Sequence, residues 1–83
     1  MSADDRLKAL GREIRRHRRA KKLSQEQLAE RAGLHRNYIG YLERGENSAR
    51  IVTLFQITDA LGIGLAELVA GLSPGPRDPA KEE

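Results

Sequence analysis

"LSQEQLAERAGLHRNYIGYLERGE", residues 23–46, decides the fold of this chain. Ser24 is a good helix N-cap. Gln27, three residues on, completes a capping box in which side chains and backbone satisfy each other. Leu23 stands just before the cap as a staple partner for Leu28. Leu28, Ala29 and Ala32 form a buried edge, and Gly33 ends the helix as a cap residue. A further helix starts near His35 and ends at Gly45. Only Gly33 and Leu34 separate the two helices. So short a link cannot lay them antiparallel over a long contact. It suits a helix-turn-helix crossing at a steep angle.

Upstream, residues 4–22 read as a first helix with Leu7, Leu10 and Ile14 on one stripe. Asp4 and Asp5 lie in its first turn and a run of Arg and Lys in its last turns, where the helix dipole favours each sign. Downstream, residues 46–50 form a polar loop. A fourth helix is expected over about 51–61, with Leu54, Ile57 and Leu61 inward and Gly62 as its stop. A short fifth helix over about 65–71 carries Leu65, Leu68 and Val69. The expected fold is all-α, a compact five-helix bundle over residues 1–72. "SPGPRDPAKEE", residues 73–83, is rich in proline and nearly free of apolar residues, and is expected to be disordered.

At 83 residues one domain is expected. There are no cysteines, so disulfides and thiolate metal sites are excluded and a reducing compartment fits. No stretch approaches a membrane span, and the N-terminus lacks the apolar region of a secretory signal. Cytoplasmic residence is the expectation. The net charge of +3 is uneven: residues 1–22 carry +6 and residues 23–83 carry −3. A basic segment on a nearly balanced body points to an anionic polymer, and a solvated helix face is the alternative.

On a wheel of about 100° per residue, Tyr38, Ile39 and Leu42 share one arc of the third helix, with His35 beside them. Arg36, Asn37, Gly40, Tyr41 and Arg44 share the opposite one. Arg pairs with guanine O6 and N7, and Asn with adenine N6 and N7. Tyrosine offers a phenol to a phosphate and a ring to a thymine methyl. Such a surface fits the DNA major groove, against the alternative of an ordinary solvated helix. Gly40 falls at the centre of this outward face, where a bare backbone permits close approach. Glu43 sits at the border of the arcs, and Arg18 extends the stripe of the first helix. Both charges would be partly buried, so they are expected to pair.

His17 and His35 are the only histidines, too few for a metal site. His17 is expected at the surface, and His35 either caps its helix or meets a phosphate. No Ser/His/Asp set, HExxH or phosphate-cradling glycine loop is present, so no enzyme is expected. Neither a cofactor nor a small-molecule ligand is implied. Ile51, Val52 and Phe55 lie off the inner stripe of the fourth helix and form a candidate dimer interface, with packing under the fifth helix as the alternative.

The segment 23–46 resembles the helix-turn-helix of the xenobiotic-response-element family, the Cro/C1-type repressors. "TLFQITDALGIGLAELV", residues 53–69, is similar to its fourth and fifth helices. Within the family, "GLHRNYIGYLERGE" looks most like restriction–modification controller proteins. The resemblance implies a lambda repressor-like DNA-binding domain of bacterial or phage type, located at the nucleoid. It implies that Arg36, Asn37 and Tyr41 read base edges. Ser24, Gln25, His35, Tyr38 and Arg44 would contact the DNA backbone, as would Asn47, Ser48 and Arg50 of the loop. Arg18 and Glu43 match a structural salt bridge of some members.

The function expected is a transcriptional regulator that binds double-stranded DNA as a homodimer on an inverted repeat. It would control its own promoter and neighbouring genes, with contact to RNA polymerase permitted. The rivals are an antitoxin of a toxin–antitoxin pair and a protein-interaction module without DNA.

Overall fold

The computed structural model describes residues 3–72, and residues 73–83, expected to form a disordered tail, lie outside it. Five helices follow one another: α1 (Ala3–Ala20), α2 (Gln25–Ala32), α3 (Arg36–Glu43), α4 (Ile51–Leu61) and α5 (Leu65–Val69). There is no strand among the described residues. Nor is any helix among them long and apolar enough to cross a membrane.

Local chemistry sets most boundaries. Ser24 Oγ accepts from the Gln27 N–H at 3.0 Å, while Gln27 Oε1 accepts from the Ser24 N–H at 2.8 Å. This box satisfies two of the backbone donors that α2 would otherwise leave free. At the other end Gly33 caps α2 in the left-handed conformation. Helix α1 stops two residues earlier than its pattern suggests. Lys22 takes φ +59°, and the Leu23 N–H donates to the Arg18 carbonyl at 3.1 Å. This turn drops Leu23 into the core beside Leu28.

Ile14, Leu28, Ile39, Ile57, Leu61 and Leu68 are fully buried, so every helix contributes to one core. Burying each such side chain contributes about 1.5–3 kcal/mol. Helix α3 packs mainly on α1 and α2, while α4 and α5 close the far side.

Two packing expectations are corrected. The inner stripe of α4 is rotated: Thr53 and Thr58 are buried with Ile57 and Leu61, while Leu54 is only half-buried. An apolar count passes over threonine, yet Thr58 Oγ1 satisfies itself on the Phe55 carbonyl at 3.2 Å. His17 is buried rather than at the surface, 9 % exposed. It lies three residues past Ile14 and continues the inner face of α1.

Gly11 joins α1 to α3. A Cβ there would collide with the backbone of α3, 2.5 Å from the Glu43 carbonyl oxygen and 2.7 Å from its carbon. The two helices approach this closely because no side chain separates them.

Candidate nucleic-acid interface

The site is built outward from Glu43, the last residue of α3. Its side chain is fully shielded from solvent. Arg18 of α1 meets it with two bonds, Nε to Oε2 at 2.6 Å and Nη2 to Oε1 at 3.0 Å. The remaining Arg18 nitrogen, Nη1, donates to the Leu23 carbonyl at 2.8 Å. One guanidinium therefore ties together α1, the turn before α2, and α3. Fork-to-fork geometry of this kind is the strong form of a charged hydrogen bond. Two further donors converge on Glu43 Oε1: Gln25 Nε2 at 3.1 Å and Arg15 Nε at 3.3 Å.

Burial pushes the Glu43 carboxyl up. The hydrogen bonds from Arg18 and Gln25, the Arg18 charge and the Arg15 bond outweigh it, and the group lies below the ordinary carboxylate range. No buried side-chain nitrogen or oxygen among the described residues lacks a partner.

Around this hub opens a cleft of about 680 Å³ between α2 and α3. Of the site residues expected from sequence it gathers Arg18, Ser24, Gln25, Arg36, Asn37, Tyr41 and Arg44. Arg36 and Asn37 are exposed on the first turn of α3, and Tyr41 is 41 % exposed one turn later. Arg36 Nη1 lies 3.5 Å from Glu26 Oε2, an exposed pair worth little.

His35, Tyr38, Asn47, Ser48 and Arg50 lie outside the cleft lining. His35 caps α3: its Nδ1 accepts from the Asn37 N–H at 3.1 Å. In the neutral ring the proton must then sit on Nε2, which leaves an outward donor. Tyr38 packs half-buried against the core. Asn47, Ser48 and Arg50 are exposed in the loop before α4. On α4 itself, Ile51, Val52 and Phe55 are 53 %, 61 % and 47 % exposed.

The outward placement of Gly40 needs correction. It is buried, on the floor of the cleft. A Cβ there would lie 3.1 Å from Arg44 Nη1 and 3.6 Å from Gln25 Oε1. The wheel gives the radial direction correctly, but side chains from α2 and from the end of α3 reach across that face. Sequence reasoning also passed over Arg15. Its signal was its position, three residues before Arg18 on the same side of α1.

Two short helices joined by the three residues Gly33–His35, with arginine, asparagine and tyrosine displayed on the second, define a DNA-binding protein of the helix-turn-helix class. The chain belongs to the Cro/C1-type helix-turn-helix family HTH_3, which matches residues 14–68. It is similar to the control protein C.SmaI of Serratia marcescens, 43 % identical over 60 residues, covering 72 % of this chain and 71 % of that protein. The uncharacterized HTH-type transcriptional regulator y4dJ of Sinorhizobium fredii is 38 % identical over 65 residues, 78 % of this chain and 84 % of that protein. Among solved structures, the restriction–modification controller protein C.AhdI of Aeromonas hydrophila superposes with a TM-score of 0.79 at 38 % identity. That match covers 82 % of this chain and 99 % of C.AhdI. The protein is thus a DNA-binding transcriptional regulator and not an enzyme.

Proposed function

We propose that the protein binds an inverted-repeat operator as a homodimer and regulates its own promoter and neighbouring genes in the manner of a controller protein. The observation that carries this reading is the exposed α3 face. Arg36, Asn37 and Tyr41 stand free of the core on a helix whose angle the Glu43 hub fixes. Arg36, Asn37 and Tyr41 read base edges. Ser24, Gln25, His35, Tyr38, Arg44, Asn47, Ser48 and Arg50 meet the DNA backbone, and Arg15 joins them beside Gln25. Phosphate contacts give salt-sensitive affinity, and base contacts give choice.

The dimer forms through Ile51, Val52 and Phe55, an apolar strip that water would otherwise cover. A two-fold axis there sets the recognition helices about 34 Å apart, one DNA turn. Footprinting on the protein's own upstream region tests the whole reading. It should protect two half-sites one turn apart, and protection of a single isolated half-site would refute the dimer.

Two sets of variants sharpen it. Arg36→Ala should cost about 1–3 kcal/mol on the operator and relax preference at one base pair, whereas Gln25→Ala should weaken all duplexes about equally. Binding titrations on a panel of operator variants distinguish these outcomes, and a reversed pattern would reject the assignment. Sedimentation should give a dimer for the wild type at tens of micromolar and a monomer for Val52→Asp. A dimer for both would place the interface elsewhere, and a monomer for both would refute the dimer.

A further inference from the structure

Arg44 is proposed above as a backbone contact, yet the Nε–Nη2 edge of its guanidinium is already occupied. Its Nε donates to Glu46 Oε2 at 2.6 Å and its Nη2 to Oε1 at 3.5 Å. The same guanidinium lies over the Tyr41 ring, 5.3 Å from the centroid. It also reaches back over Gly40, where Nη1 would stand 3.1 Å from any added Cβ. The side chain is therefore seated on three sides: a carboxylate, an aromatic face and a bare backbone.

We infer that Glu46 is an intramolecular competitor of the DNA backbone: on binding, Arg44 exchanges the Glu46 carboxylate for a phosphate, and Glu46 thereby sets the protein's affinity for duplex. The inference rests on the DNA-binding reading of α3. A carboxylate and a phosphate present the same oxygen acceptors to the Nε–Nη2 edge, so that edge cannot serve both at once. Releasing Arg44 also uncovers the Tyr41 ring and the cleft floor for the incoming groove. Because phosphate contacts carry no sequence information, the competition acts equally on every duplex. Glu46 thus sets the concentration at which DNA fills and leaves the ranking of sequences alone.

The test is a double-mutant cycle read by fluorescence anisotropy with a short random-sequence duplex at low salt. Both residues are exposed, so the variants should fold. Glu46→Gln should tighten binding about two- to five-fold, the range of exposed ion pairs. In an Arg44→Gln background the same change should have a clearly smaller effect. An equal factor in both backgrounds would mean that only a repulsive surface charge was removed, and the exchange would be overturned. Unchanged affinity in Glu46→Gln, with salt-sensitive binding by the wild type, would overturn it too. A wild type that binds no duplex at any salt concentration would instead remove the DNA-binding reading itself, and the exchange with it.

Discussion

Glu43→Ala will lower stability by about 3–5 kcal/mol, because it leaves the Arg18 charge buried without its partner. For a chain of this length the whole stability is roughly 4–12 kcal/mol. The variant should therefore be partly unfolded at room temperature if the protein lies near the lower end. Urea titration followed by circular dichroism measures the loss. Replacing both partners, Arg18→Met with Glu43→Leu, should recover most of it, since an apolar pair of similar volume removes the unpaired charge. DNA binding should not return with stability, because Gln25 and Arg15 lose the oxygen on which they converge.

Acid provides a second measure of the same group. The folded protein holds the Glu43 carboxyl below its ordinary range. Its contribution is thus present above the unfolded value of about 4.3 and is lost as the pH falls through the folded one. The stability gap between wild type and Glu43→Gln should therefore shrink as the solution is taken below about pH 4. A gap that stays constant down to full acid denaturation would contradict this account.

Gly45→Ala is the other change with a large expected effect. Gly45 has φ +72° and lies against α1, where a Cβ would fall 2.8 Å from Lys8 Cα and 2.9 Å from Lys8 N. A side chain there brings left-handed strain and also forces α1 away from the end of α3. The two effects together should cost roughly 2–5 kcal/mol. Gly62 provides the comparison, with the same φ of +72° and nothing within 4 Å of the added atom. Gly62→Ala should cost only the strain, about 1–2 kcal/mol. Thermal unfolding of both variants isolates the α1 contact as the difference, and equal losses would show that the contact is soft.

Much of this architecture was legible in the chain because caps and stops are local. Ser24 with Gln27, then Gly33, Gly45 and Gly62, mark helix ends within a few residues of where they fall. The alignment of Arg18 and Glu43 was also legible, since each charge sits on or beside an apolar stripe and needs a partner there. What a wheel cannot register is the distance to a neighbouring helix. Gly11 looks like an ordinary break in a basic helix, and only the crossing of α1 over α3 gives it a reason. Gly40 failed differently: its direction was read correctly, but its cover comes from Gln25 and Arg44. Thr53 and Thr58 were missed because a hydroxyl counts as polar until its bond or its burial is seen. The convergence of Arg15 and Gln25 on one carboxylate oxygen depends on side-chain reach from two helices, which spacing along one helix does not encode.

The two faces of α3 draw on separate residues. Ile39, Leu42 and Glu43 hold the helix, while Arg36, Asn37 and Tyr41 project from it with little or no share in the core. A substitution among the second set leaves no volume to refill, and surface changes of this kind usually move stability by less than about 0.5 kcal/mol. On the base-reading role proposed for these residues, operator preference is therefore free to drift while folding stays under selection. A duplicated copy of such a gene reaches a new target through a few exposed positions.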